Sequence, residues 1–332
     1  MHIDIKAASL QQKRQAYKHL AKRFGEDRPA SRYEEGTLDL APEANFHYRP
    51  LWDADHELYD KTRSKITMKD WYALRDPRQF YYANYNITRA GQIESVEHNF
   101  DMVEKRGMLT AIPAEWVERI TFYLLPLRHY EWGANMNNCQ ITALGHGTAL
   151  TAPTCFAMGD RLGIAQLIGR IGLALASNNE TALNAAKDAW VNHPDWQGVR
   201  KMVEDSLVLE DPMELFLAQN LALDGIVYPL VYGAFSRESD RRGGAAISFL
   251  CSFMNEWYEE TGKWVDAVIK VAAAENDENK ALLKSWFTTW EARAVAAFKP
   301  LSIAVLGAEA GAQAIADVEA TLKARAAKLG IA

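Results

Sequence analysis

Apolar residues recur at spacings of three and four along most of the chain, which is the spacing of one helix face. The pattern over 113 to 147 predicts a long helix crossing the middle of a bundle. Pro113 suits a first helical position, where its missing N–H would be unpaired anyway. Trp116, Ile120, Tyr123, Leu124 and Leu127 make an apolar stripe, and Pro126 within it should kink the helix or end a segment. A second central helix is expected over 151 to 177, where Phe156, Leu162, Leu167, Ile168, Ile171 and Leu175 leave almost no polar side. Shorter helices over 180–191 and 195–209 meet at His193-Pro194. Asp211-Pro212-Met213-Glu214 is a helix start, with Asp at the cap and Pro at the first position, and that helix should run to about 236.

A very long helix is expected over 240 to 274, with Gly243 and Gly244 near its start. Another runs from 276 to 298, where Lys299-Pro300 should stop it, and an Ala-rich helix follows over 301 to 329. Nearer the N terminus, 5 to 24 can form an amphipathic helix with Leu10, Tyr17, Leu20 and Phe24 on one face. A loop at Asp76-Pro77 precedes a helix ending near Lys105, before Gly107. Between 25 and 60, Pro29, Pro42, Pro50, Gly25 and Gly36 interrupt any helical period, so an extended arm is predicted there. Its aromatics, Tyr33, Phe46, Tyr48, Trp52 and Tyr59, are too many for a free linker. They should pack on the chain's own bundle or on another subunit, the second being slightly favoured. No strand pattern and no repeat of 20 to 50 residues is present, so the expected class is all-α, with long helices at the centre.

Composition narrows the partners. With 332 residues the chain can bury a large core. Its net charge of −6 and the lack of a dense basic run argue against nucleic acid. No signal-peptide pattern opens the chain, and the stretch 162 to 176, read as the most apolar helix, is interrupted by Arg170, so it reads as core and no membrane is expected. The three cysteines, Cys139, Cys155 and Cys251, are widely spaced, which fits a reducing cytoplasm and buried thiols.

Helical bundles hold metals between facing helices, so carboxylates were weighed against the ligand pattern of a di-iron site. That pattern takes a Glu from each of two helices and a Glu-x-x-His from each of two more. Asp101 and Glu131 lie thirty residues apart, and Asp224 and Glu256 thirty-two apart, so all four could point inward. The imidazoles are missing: Ala134 follows Glu131 by three and Glu259 follows Glu256 by three. The one acid-x-x-His spacing is Asp53 to His56, alone in the arm. No metal ligand, cofactor-binding residue or catalytic residue is therefore assigned. The run Glu94, Glu97, His98 and Asp101 and the run Glu256, Glu259 and Glu260 read as solvated helix faces. Gly163, Gly169 and Gly172 read as close helix packing. The puzzle is RHYEWGANMNN, where His129, Glu131, Asn135, Asn137 and Asn138 lie among core residues. Such groups must be paired if buried.

Three stretches carry a resemblance: LRDPRQFYYANYNITRAGQ (74–92), PLRHYEWGANMNN (126–138) and DRRGGAAISFL (240–250). With the helical pattern, they resemble the β subunit of bacterial multicomponent monooxygenase hydroxylases, closest to the phenol hydroxylase branch, over nearly the whole chain. The resemblance implies a ferritin-like, ribonucleotide reductase-like bundle that lacks di-iron ligands, spanning 66–300. An N-terminal helix and subunit-contacting arm (1–65) would precede it, and a C-terminal helix (301–332) would follow. It implies an (αβγ)₂ assembly in which α holds the di-iron centre and this chain supports it. A reductase with FAD and a 2Fe–2S cluster would bring electrons from NADH, and a regulatory protein would dock transiently. The reaction implied is hydroxylation of phenol to catechol. Arg78, Arg89 and Arg128 and the polar string would then fix helix register or contact α. The alternatives are a self-sufficient carboxylate metal protein, with Asp101, Glu131, Asp224 and Glu256 as its ligands, or an unrelated helical adaptor.

Overall fold

The computed structural model describes residues 17–40 and 49–332, and among these there is helix but no strand. Leu10 and the first part of the expected helix 5–24, with Pro42, Phe46 and Tyr48 of the arm, lie outside the described residues. The helices run α1 Lys18–Phe24, α2 Arg32–Thr37, α3 Tyr82–Lys105, α4 Ala114–Leu124, α5 Leu127–Leu144, α6 Thr148–Leu175, α7 Thr181–Asn192 and α8 Pro194–Ser206. They continue with α9 Pro212–Arg241, α10 Ala245–Leu250, α11 Ser252–Glu275, α12 Asp277–Leu306 and α13 Ala308–Leu329.

Several boundaries differ from the expectation. The predicted 113–147 helix is two helices, because Pro126 lacks the N–H needed to continue the ladder from α4 and starts α5 instead. The predicted 240–274 helix begins later and is interrupted. Gly243 has φ +91, which ends α9 in a turn, and Cys251 separates α10 from α11. Pro300 does not stop α12, which continues to Leu306; the stop is Gly307, at φ +89. The arm is not wholly extended. Ser31 and Glu34 close a capping box on α2, with Glu34 N–H donating to Ser31 Oγ and Ser31 N–H to Glu34 Oε2.

The arm packs partly on its own bundle. Tyr33 is buried, and its hydroxyl accepts a hydrogen bond from the Asp76 N–H at 2.9 Å. Leu20 and Leu38 join Tyr72 and Ala149 in a small satellite core. Farther along, Leu51 and Trp52 remain 98% and 68% exposed. The Asp53 and His56 pair is an arm ion cluster, joined by Arg63. Asp211 caps α9 as expected, accepting from Met213 N–H, and also holds Ser64 and Lys65.

At the centre stand α5, α6, α9 and α11. Besides the stretch at 162–176 in α6, α9 is a long apolar helix. It is long and apolar enough to cross a membrane, but its most apolar window is 94% buried inside the protein, as a core helix is. Two π-helical segments, Ala218–Leu223 and Pro229–Phe235, widen it. The approach of α5 to α8 is set by Gly133, where a Cβ would fall 2.4 Å from a methyl of buried Val203. Gly133→Ala should therefore destabilise the fold by about 1–3 kcal/mol. Val203→Ala in the same chain should recover part of that loss. Equilibrium unfolding of the two single variants and the double variant checks this.

Candidate functional site: a buried ion cluster in the central bundle

One side chain from each central helix meets at the middle of the bundle: Glu131 from α5, Arg161 from α6, Asp224 from α9 and Trp257 from α11. Arg161 and Glu131 are fully buried and Asp224 is 2% exposed. Arg161 Nη1 donates to Glu131 Oε2 at 2.9 Å, and Nη2 donates to Asp224 Oδ2. The guanidinium lies over the Trp257 ring, 4.4 Å from its centroid. Two phenols complete the shell. Tyr228 donates to Glu131 Oε1 at 2.9 Å, and Tyr130 donates to Asp224 Oδ1 at 2.7 Å.

The polar string on α5 is the outer part of this arrangement. Gln219 Nε2 donates to Tyr130 Oη and to Asp224 Oδ1, both at 3.0 Å. Gln219 Oε1 in turn accepts from Asn137 Nδ2, which also donates to Ser206 Oγ. Asn138 and Asn220 exchange amide hydrogen bonds at 3.1 and 3.2 Å. Asn135 donates to the Met158 carbonyl. The string therefore ties α5 to α6, α8 and α9. His129 faces the other way, tilted against Trp190, and burial pulls its imidazole down to about 4.

A second cluster lies one residue away. Asp160 accepts from Arg89 Nε and Nη2 at 2.9 and 2.8 Å, from Tyr85 Oη at 2.8 Å and from Trp257 Nε1 at 2.8 Å. Glu260 accepts from Arg89 and Arg78, and Arg78 also holds Asp76. Burial opposes the Glu260 charge, but the two guanidiniums outweigh it and leave its carboxyl below the ordinary range. Arg89 thus joins α3 to α6 and α11, and Arg78, in the loop before α3, pairs with Asp76 and with Glu260 of α11. Arg128 donates to the Leu183 carbonyl.

The four-carboxylate convergence raised as an alternative does not form. Asp101 is exposed on α3 and pairs with Lys105, and Glu256 is exposed on α11. The reason is the identity of the central helices. The partner thirty residues from Glu131 is Arg161 ahead of it on α6, not Asp101 behind it on the more peripheral α3. On α11 the inward residue is Trp257, not its neighbour Glu256. Ile164 follows Arg161 by three and Glu260 follows Trp257 by three, so neither carries an imidazole. Glu94, Glu97, His98 and Asp101 are solvated as expected, with Glu97 on Arg170. Glu259 and Glu256 are exposed too, whereas Glu260 is drawn into the ion cluster.

The outer face of α5 and α6 is inverted in polarity. Between 129 and 169 the charged residues are Glu131, Asp160 and Arg161, and all three are buried. Trp132, Met136 and Leu162 are 53%, 41% and 43% exposed on this face. Cys139 and Cys155 are exposed as well, against expectation, while Cys251 is buried and its thiol is pushed up to about 12 by burial. Gly163 and Gly169 face open space, so only Gly172 of the three glycines is packed, against Leu183 and Leu125.

Residues 52–307 match the Methane/Phenol/Alkene Hydroxylase family. The chain belongs to that family. It is 44% identical over 331 residues to the oxygenase component DmpL of phenol 2-monooxygenase from Pseudomonas sp. (strain CF600), covering 100% of this chain and 98% of that protein. The structure of xenon-pressurized phenol hydroxylase from Pseudomonas sp. OX1 superposes with a TM-score of 0.91 and 41% identity over 98% of both chains. The hydroxylase β subunit of the toluene-4-monooxygenase system of Ectopseudomonas mendocina is 21% identical, over 76% of this chain and 75% of its own length. At 19% identity and a TM-score of 0.74, toluene 4-monooxygenase shares the fold, which is ferritin-like. The chain is thus a homologue of hydroxylase-component subunits of phenol and toluene monooxygenases.

Measured against the di-iron ligand pattern of such bundles, the centre does not fit a metal. A guanidinium fills the space between the two carboxylates and satisfies both. Arg161 was missed from sequence, although Asp160-Arg161 is the one charged pair inside an apolar helix. With all three groups ionised the cluster holds two negative charges and one positive. Burial raises the Glu131 carboxyl to about 6, against the pull of Arg161. An acid whose folded value is raised contributes its stability below the unfolded value and loses it as pH climbs through the folded value. Wild type should therefore lose stability relative to Glu131→Gln between pH 4.5 and about 6, on the order of 2 kcal/mol. Chemical denaturation of both chains across that range measures it.

Proposed function

We propose that this chain is the non-catalytic β subunit of the hydroxylase component of a multicomponent, NADH-dependent monooxygenase that converts phenol to catechol. The observation that carries this is the charge swap at the bundle centre. A helix position that would supply a metal-ligating carboxylate supplies a guanidinium instead, so oxygen chemistry falls to a partner subunit. The reading gives α the di-iron centre and gives this chain the task of holding α in shape. The assembly is (αβγ)₂ in the cytoplasm, visited by a regulatory protein and by a reductase carrying FAD and a 2Fe–2S cluster. Family membership argues against an unrelated adaptor, and the buried Arg161 argues against a self-sufficient metal protein.

The uncharged outer face of α5 and α6 supports the same reading. Exposed Trp132, Met136 and Leu162 beside open glycines suit a close-packed helical partner, since interface cores are poor in charge and rich in Trp and Met. The exposed Leu51 and Trp52 suit a second contact by the arm.

Co-production with the large subunit tests it. Wild type should enter an iron-bearing complex, and Glu131→Leu should leave the iron per assembled complex unchanged. Loss of iron with assembly intact would overturn the supporting role. Leu162→Glu should abolish co-purification with the large subunit, while the chain keeps its helical circular dichroism.

A further inference from the structure

We propose that Arg161 takes the place of a metal ion in this chain, and that its side chain is what denies the bundle a divalent cation. The argument is geometric. Glu131 and Asp224 come from different helices, α5 and α9, and each gives one oxygen to the same guanidinium. Their remaining oxygens are held by the Tyr228 and Tyr130 hydroxyls. Two carboxylates aimed at one point, each steadied by a second hydrogen bond, are the arrangement that a bound cation imposes on its ligands. The guanidinium delivers one positive charge where two carboxylates meet, and it does so in a closed, fully buried setting. Its Nε finds no acceptor, so the group is held by the two acids, the Tyr228 hydroxyl and the Trp257 face.

Trimming Arg161 leaves a guanidinium-sized space between two acids that have no other cation. Oxygen-only ligands of this kind favour hard or borderline divalent ions such as Mn²⁺ and, as a spectroscopic probe, Co²⁺. The chain with its arginine is closed to both.

The test uses the full-length chain with Co²⁺ or Mn²⁺ as the only added ligand. Arg161→Ser should bind stoichiometric Co²⁺ with a visible d–d band, and its Tm should rise with added Mn²⁺. Wild type should do neither. Adding Glu131→Gln to Arg161→Ser should abolish the band. A folded Arg161→Ser that takes up no metal would overturn the proposal, and so would wild type that binds it. Arg161→Ser that folds only when Co²⁺ or Mn²⁺ is supplied would support it. Should Arg161→Ser fail to fold even with metal, the chain combining Arg161→Ser, Glu131→Gln and Asp224→Asn decides. Folding of that variant would mean that the acids need a cation that metal cannot replace, and failure would mean that Arg161 is needed for packing. Either result overturns the proposal.

Discussion

Two carboxylates buried and ionised in the middle of a helical bundle need a cation between them. Here the cation is the guanidinium of Arg161, and much else follows from where it sits. Glu131, Asp224 and Arg161 come from three helices, so none of the three can move without stranding the others. Stranding a buried charge costs about 3–5 kcal/mol, which is a large part of a domain's stability. The cluster therefore specifies the relative register of α5, α6 and α9 more sharply than apolar packing alone. Asn137 and Asn138 extend that constraint along α5 by pairing across to Gln219 and Asn220 of α9.

Asp160 and Arg161 are adjacent in sequence and point to different networks. Arg161 reaches the centre, while Asp160 gathers Arg89, Tyr85 and the Trp257 indole. Trp257 touches both, through its ring on one side and its N–H on the other. From Asp160 the chain of contacts runs through Arg89, Glu260, Arg78 and Asp76 to Tyr33 in the arm. The arm is thus coupled to the core by charge and hydrogen bonds as well as by the apolar contacts of Leu20 and Leu38.

The helices were legible because their signals are local. Apolar spacing marked α4 and the start of α5, near-continuous apolarity marked α6, the Asp76-Pro77 loop and Gly107 bracketed α3, and Asp211-Pro212 marked the start of α9. Pro300 misled, because a proline inside a well-packed helix is tolerated when the surroundings hold both halves, and Gly307 carried the real stop. The absence of imidazoles at the expected spacings was also legible. Which acids face inward was not. That depends on which helices stand at the centre, a matter of tertiary packing. Asp101 and Glu131 share a spacing with Glu131 and Arg161, and the spacing cannot say which pair is inside. Reading charge sign as well as spacing along α6 would have pointed to Arg161.

The π-helical turn Ala218–Leu223 has a consequence for how this chain can be compared with its relatives. A π-turn holds an additional residue in the same rise, so it behaves as an insertion absorbed without a loop. Gln219 and Asn220 lie in it, and Asp224 follows directly. Losing one residue there together with the π-turn would return the segment to ordinary α-helix and leave everything downstream in nearly its present rotation, because the widened turn had absorbed the additional residue. Asp224 and Tyr228 would still face the bundle axis. A one-residue gap placed in this segment of an alignment therefore leaves the acid that faces the centre in place, whereas the same gap in the flanking α-helix would turn that acid aside by about 100°.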